Sequence, residues 1–347
     1  MAKKTKDKDV SIESWKRLYE LSQEIKEMAP WEWISESEFF GVQDPSTGEQ
    51  GFISTMGMNG EHYSIAAYRG AEGLYGYWHM ADAGPFGNPE EILEVPQLQL
   101  SFEDRSTLTD HDRAIIKELG LKFRGRNSWP MFRSFRPGFF PWYLNKKEAH
   151  FLIHILEQTL NVLARYKEDE TLLDPITDET YLVRIADESE EGLTWRDEMM
   201  EVLPPKFASV DITIEGPILE AFLNLEQAVR IVDADVFMFP GQIQEKPGKR
   251  PYFAYMLMIV EPETGMVFGT ELLSPFPSLE AMWGKVPEAL FKAMNNVGIY
   301  PNEIRTSSPR LHLVLEPVAE DIGFSVTQAE YLPSLEEAKG FLLSRFR

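Results

Sequence analysis

One stretch of this chain interleaves basic and aromatic side chains. The segment KFRGRNSWPMFRSFRPGFFPWYLNKK, residues 122–147, contains no acidic residue, although the whole chain carries a formal charge of −22. Guanidinium groups bind phosphates, and bases that stack on aromatic rings contribute about 1–3 kcal/mol each. The pattern therefore predicts a surface for an anionic ligand or for single-stranded nucleic acid. The residues that would bind it are Arg124, Arg126, Trp129, Arg133, Arg136 and Trp142.

The same stretch has a purely structural interpretation, which we favour. Aromatic side chains are mostly buried, and arginine stems readily cover apolar surface. In this interpretation the rings pack into a core and the arginines pair with acids in residues 167–201. Exposure of Arg133 and Arg136 beside Trp129 or Phe132 would favour the binding interpretation instead.

A pair of histidines has the spacing of a metal site. His150 and His154 lie four residues apart in a predicted helix, so their side chains share a face and could bind one ion. The opposite face of this helix is apolar, which makes a solvated polar face the simpler interpretation. Glu157 follows on the same polar face.

Two further patterns favour ordinary structure. Asp110 and Asp112 suit the first turn of a helix, where carboxylates interact with the helix dipole. The glycines at 70, 73 and 76 lack the spacing of a phosphate-binding loop, and we expect them to permit tight packing or bulges in a strand.

The composition indicates a folded chain of about two domains. It has 347 residues, 43% of them hydrophobic and 26% charged, values typical of globular proteins. The strong negative charge disfavours nucleic-acid binding, because a duplex repels an acidic protein that lacks a basic patch. The absence of cysteine excludes disulfides and thiolate zinc sites. With no signal peptide and no long apolar run, we expect a cytoplasmic protein and no membrane association.

The first half is predicted to be an α+β domain, residues 11–166, after a disordered basic tail, residues 1–10. Its elements include a helix that starts at Ser11, a hairpin around Asn59-Gly60 and strands in GLYGYWHM and QLQLSF. Residues 167–205 are predicted to form an acidic hairpin that bridges the two domains.

The second half, residues 206–347, is predicted to have a different order of strands and helices. RIVDADVFMFPG and the paired runs in PYFAYMLMIVEPETGMVFGTELLS predict three strands, and helices and strands then alternate to the end. The predicted order is β-β-β-α-β-α-β-α, an α/β domain.

This order of elements resembles the ribonuclease H-like fold of retroviral-type integrases and transposases. The likeness covers roughly residues 230–345, through EPETGMVFGTELLS, YPNEIRTSSPRL and DIGFSV. The whole chain also resembles a group of bacterial proteins whose paired domains have no assigned activity. Fold alone does not carry function.

The resemblance implies three positions for metal-binding acids. The first falls on Asp233 and Asp235, which share one face of a strand, and the third on Glu336 or Glu337. The second falls at residues 306–308, Thr-Ser-Ser, where no acid stands. Two-metal phosphoryl transfer needs carboxylates from separate elements, so the gap argues against catalysis.

We therefore expect a non-enzymatic binding or accessory protein without a cofactor, whose partner is another protein or an anionic ligand. The alternative is a divergent Mg²⁺- or Mn²⁺-dependent nuclease that uses Asp233, Asp235, Glu303 and Glu337. A second alternative is a single-stranded nucleic-acid or anionic-ligand binder acting through residues 122–147.

Overall fold

The chain divides into two compact units, which a computed structural model describes over residues 10–60, 62–83, 89–189, 192–205 and 210–345. The first unit comprises residues 1–137 and 141–205, and the second comprises residues 138–140 and 206–347. The predicted tail lies almost wholly outside the described residues; its last residue, Val10, packs against the core of the first unit.

The first unit is a mixed sheet with helices on its faces. Its helices and strands are, in chain order, α1 (Ile12–Met28), β1 (Phe40–Gln43), β2 (Gln50–Met56), β3 (Tyr63–Arg69), α2 (Gly70–Ala83), β4 (Gln97–Glu103), α3 (Asp110–Glu118), β5 (Trp129–Arg136), β6 (Phe139–Trp142), α4 (Lys146–Tyr166), β7 (Thr180–Ser189) and β8 (Gly192–Glu201). Residues 138–140, at the start of β6, belong to the second unit.

The sheet of the first unit runs in the order β5-β4-β3-β2-β1-β7-β8. Its strand pairs are antiparallel except for β1 and β7, which are parallel. Apolar stripes of α1 and α4 contribute Leu18, Ile25 and Leu152 to the largest core cluster. The acidic hairpin β7–β8, which we expected to bridge the two domains, is instead part of this sheet.

The prediction of a strand in GLYGYWHM is wrong, because these residues form α2. Leu74, Tyr77 and Trp78 pack into one cluster, and their spacing is that of a helix face. A β-carbon on Gly73 would lie 2.7 Å from the carbonyl carbon of Tyr68. The glycines thus permit close helix packing rather than a strand bulge.

The second unit contains a smaller mixed sheet. Its elements are α5 (Gly216–Leu223), β9 (Gln227–Ile243), β10 (Tyr252–Val260), β11 (Val267–Leu273), α6 (Leu279–Trp283), α7 (Val286–Val297), β12 (Tyr300–Thr306), α8 (Pro309–Ile322), β13 (Ser325–Gln328) and α9 (Pro333–Ser344).

Strand order in the second unit is β11-β10-β9-β12-β13. The first three strands are antiparallel neighbours, whereas β12 pairs in parallel with both β9 and β13. One face packs against α5, α7 and α8 in the main core. The other face bears the alternate residues of β9 and β10 and is covered by α9. This second face carries Asp233 and Asp235.

Most of the predicted elements are present. The hairpin around Asn59-Gly60 is the antiparallel pair β2–β3, and the second half follows the predicted order of strands and helices, with α5 preceding it. Both units mix helices and strands, as expected. No helix within the described ranges is both long and apolar enough to cross a bilayer.

Candidate functional site

The candidate site of the second unit begins with a buried ion pair between two parallel strands. Register places Arg305 of β12 opposite Asp233 of β9. The Arg305 guanidinium donates two hydrogen bonds to the carboxylate, at 2.8 and 3.1 Å. Asp233 is fully buried, whereas a third of the Arg305 side chain is exposed. The hydrogen bond to Asp233 raises the pKa of the Arg305 guanidinium.

The second acid, Asp235, is bound from the covering helix. Lys339 of α9 donates hydrogen bonds to Asp235, at 3.0 Å, and to Glu336, at 2.9 Å. The other carboxylate oxygen accepts the N–H of Val236 at 2.8 Å. Burial raises the pKa of Asp235 although Lys339 opposes it. Burial lowers the pKa of Lys339, but the attraction of Asp235 and Glu336 makes the net direction upward.

The remaining acids of the nuclease hypothesis do not join this pair. Glu303 lies two residues before Arg305 and accepts a hydrogen bond from Thr327 at 2.7 Å. Glu337 is exposed, and its neighbour Glu336 is the acid that reaches Lys339. Across the described ranges, no group of three Asp, Glu or His side chains could hold a metal ion.

The residues at the implied position of the second acid have structural roles. Thr306 is fully buried, and its hydroxyl accepts the N–H of Ser308 at 3.1 Å. The Ser308 side chain caps α8 by accepting the N–H of Leu311. On the face that carries Asp233, the nearest residue of this strand is Arg305, so a positive charge lies where an acid would be needed.

The arginine of the first unit that we placed in a binding surface is buried. The Arg133 guanidinium binds both oxygens of Asp112, at 2.9 and 2.7 Å, and lies 5.1 Å from the ring of Tyr143. Arg133 is 8% exposed. Its partner belongs to α3, not to the acidic segment 167–201 as we expected. Asp112 also completes a capping box with Thr109.

The pKa of Asp112 reflects the hydrogen bonds that its carboxylate accepts. Burial acts to raise it, but the hydrogen bonds and charge of Arg133, together with Thr109, outweigh burial and lower the pKa below its ordinary value. Arg133 uses three of its five guanidinium N–H donors on Asp112 and the Phe132 carbonyl, and its side chain is buried. It is therefore removed from the candidate surface.

Three other arginines of the stretch are accessible to solvent. Arg124, Arg126 and Arg136 are exposed, whereas Trp129 and Trp142 are half-buried. The stretch is tied to the end of β4, since Asn127 N–H donates to Asp104 at 2.9 Å and Ser128 N–H donates to the Glu103 carbonyl at 3.0 Å.

Two arginines outside the stretch complete this surface, and no pattern in the sequence indicated them. Arg105 lies 5.8 Å over the ring of Trp129. A shallow depression is lined by Arg105, Ser106 and Arg113. Arg113 also pairs with the exposed Asp110. We name this surface the basic edge; its residues are Arg105, Arg113, Arg124, Arg126 and Trp129.

Among the residues that the structure describes, no third ligand joins His150 and His154 to form a metal site. His150 is exposed and His154 is half-buried, with its Nδ1 3.8 Å from Glu157 and its ring 5.8 Å from that of Trp195. The helix face is also less solvated than predicted, because Gln158 is buried and accepts a hydrogen bond from Arg184 at 3.0 Å.

Two family models match the chain, one over most of the first unit and one over most of the second. Residues 15–184 match the family model described as Domain of unknown function (DUF7309). Residues 219–343 match the one described as Domain of unknown function (DUF6930). No curated protein matches the chain. The two matches agree with a two-domain protein, and neither description assigns an activity.

Proposed function

We propose that this chain is a non-enzymatic binding or accessory protein whose second unit is a ribonuclease H-like scaffold without nuclease activity. The strand order, three antiparallel strands followed by two parallel ones, supports the fold assignment. A cytoplasmic location and a bacterial source belong to this proposal and rest on the sequence features alone.

The observation that carries the proposal is the pairing of Asp233 with Arg305. In a two-metal nuclease, carboxylates converge on divalent cations. Here a guanidinium already occupies both oxygens of the most buried acid, and Lys339 neutralises Asp235. A divalent cation would have to displace two tethered cations, each of which already binds a carboxylate of the site.

The test is a cleavage assay on the full chain. Labelled single-stranded DNA, duplex DNA and an RNA–DNA hybrid are incubated with Mg²⁺ or Mn²⁺, and we expect no cleavage above background. Metal-dependent cleavage that disappears in Asp235→Asn, and persists in Glu320→Gln, a control at an exposed acid outside the implied metal set, would refute the proposal and restore the nuclease hypothesis.

A second candidate function, anion binding, is favoured by the basic edge of the first unit. Three of its arginines are exposed in a chain of charge −22, and Trp129 supplies a ring beside Arg105. Bases of a single strand stack on such rings while guanidinium groups contact phosphates. The overall negative charge limits this binding to low ionic strength.

A salt series tests this second function. Fluorescence anisotropy of a labelled oligothymidylate should show binding that weakens with salt. The double variant Arg124→Glu/Arg126→Glu should reduce the slope of log K against log salt by about 1.4, at about 0.7 per phosphate contact. The control Lys246→Glu/Lys249→Glu makes the same charge change at exposed positions of the second unit. Binding that is insensitive to salt, or equal losses in both variants, would contradict it.

A further inference from the structure

A row of polar side chains lies on the face of the first unit's sheet that α2 covers. The β3–β4 register places Ser64 opposite Ser101 and Tyr68 opposite Gln97. Alternate residues of a strand share a face, so these four side chains point the same way. Opposite side chains lie about 4.5–5.5 Å apart. From Ser64 to Tyr68 the row extends about 14 Å, at about 3.4 Å per residue.

The side chains of this row are buried and unpaired. Ser64, Tyr68 and Gln97 are fully buried, and Ser101 is 1% exposed. Neither serine hydroxyl, nor the Tyr68 hydroxyl, nor either polar atom of the Gln97 amide has a hydrogen-bond partner in the described part of the chain. Buried polar atoms in folded proteins are nearly always bonded. Such a concentration on two neighbouring strands therefore indicates a site for a polar ligand.

The surroundings of the row differ at its two ends. At one end His62 is half exposed, with its Nδ1 3.8 Å from Glu103. At the other end the ring of Tyr68 lies 5.1 Å from that of Tyr77 and 6.0 Å from that of Phe39. The row thus leads from an accessible, ionisable end to an aromatic interior.

We propose that this row binds a neutral planar molecule with adjacent N–H and C=O groups, such as the edge of a nucleobase. The Gln97 amide offers one acceptor and two donors side by side, which match such an edge in two hydrogen bonds. The hydroxyls of Tyr68, Ser64 and Ser101 can donate or accept. The four side chains are uncharged, and the neighbouring rings suit a flat ligand.

Entry to the aromatic end requires movement of α2, and the composition of that helix permits it. Gly73 and Gly76 lie inside α2, and glycine is among the weakest helix formers. The packing of Leu74 and Trp78 holds the helix in place. A ligand that bonds to Gln97 would replace part of that packing.

Nucleoside binding to the full chain tests the site. Uridine, cytidine, adenosine and guanosine are titrated by calorimetry, and we expect at least one to bind. Gln97→Leu should lower the affinity for that nucleoside about tenfold or more, because it removes hydrogen bonds from a buried site. Tyr68→Phe should lower the affinity about threefold for the same reason. Gln242→Leu, an exposed glutamine of the second unit, should leave the affinity unchanged.

Thermal stability without ligand separates a binding role from a structural one. Because the Gln97 amide is unpaired, Gln97→Leu should keep or raise the melting temperature. Failure of all four nucleosides to bind would overturn the proposal. A fall in melting temperature in Gln97→Leu with unchanged nucleoside affinity would also overturn the proposal. The amide would then stabilise the folded chain and would not bind the ligand.

Discussion

Each unit of this protein buries an aspartate against a basic side chain, yet the pKa values of the two acids shift in opposite directions. Asp112 of the first unit has its pKa lowered, because the two bonds from Arg133 and those from Thr109 outweigh burial. Asp235 of the second unit has its pKa raised, because burial outweighs Lys339 and one backbone N–H.

In these two acids, the balance between burial and the hydrogen bonds and charges of the partners sets the direction of the pKa shift. A carboxylate that accepts several charge-assisted bonds recovers its lost hydration, whereas one that accepts few does not. Removal of one partner from the well-bonded pair should therefore be the more damaging change.

The largest effect is expected from Arg133→Met, which leaves Asp112 buried and unpaired. Loss of one partner from a buried pair costs about 3–5 kcal/mol. Guanidinium denaturation followed by tryptophan fluorescence measures the free energy of unfolding. The exposed Arg124→Met is the matched control and should change it by less than about 0.5 kcal/mol. Equal effects of the two variants would mean that the Arg133 pair contributes nothing.

A smaller effect is expected from Arg305→Met, which should lower the free energy of unfolding by about 1–3 kcal/mol. The loss is smaller because Arg305 is partly exposed, although Asp233 is buried. Adding Asp233→Asn in the same background should recover part of the loss, since a neutral amide is cheaper to bury than a charge. A double-mutant cycle measures the coupling. Additive losses would show that the pair is not coupled and would weaken the argument against metal binding.

The opposite pKa directions predict opposite pH dependence. Asp112, with a lowered pKa, contributes stability above its unfolded value near 3.8, and that stability is lost as the pH falls through the folded pKa. Asp235, with a raised pKa, contributes stability below about 3.8, and that stability is lost as the pH rises through the folded pKa.

Two asparagine variants measure these dependences. Relative to the parent chain, Asp112→Asn should lose stability from pH 3 to pH 7, whereas Asp235→Asn should gain it, by about 1.4 kcal/mol per unit of pKa difference between the folded and unfolded states. Denaturation midpoints at several pH values give both slopes. Slopes of the same sign would contradict the comparison.

The smallest effect is expected in α9. Glu336→Gln removes one of the two acids that bind Lys339 and should cost up to about 1 kcal/mol, as surface pairs do. Glu337→Gln alters an exposed side chain and should be neutral. Thermal denaturation of both variants compares them directly. A larger loss in Glu337→Gln would mean that the exposed acid has a role the contacts do not indicate.

Local signals in the sequence were sufficient for most elements and insufficient for the partners of charged residues. The hairpin at Asn59-Gly60 follows from turn chemistry between two neighbouring segments. The strand prediction for GLYGYWHM failed because its glycine and aromatic residues suit a strand as well as a helix. In the structure, Leu74, Tyr77 and Trp78 pack with helical spacing, and Gly73 lies against the backbone of Tyr68 in β3.

The sequence by itself determined the order of elements from β9 to α9, most elements of the first unit and the acids on one face of β9, since each depends on local periodicity. Tertiary structure alone decided that Arg305 faces Asp233, that Lys339 reaches Asp235 and that Arg133 binds Asp112. These contacts join residues 21 to 104 positions apart. Strand register and helix packing set them, and neither is encoded in any short segment.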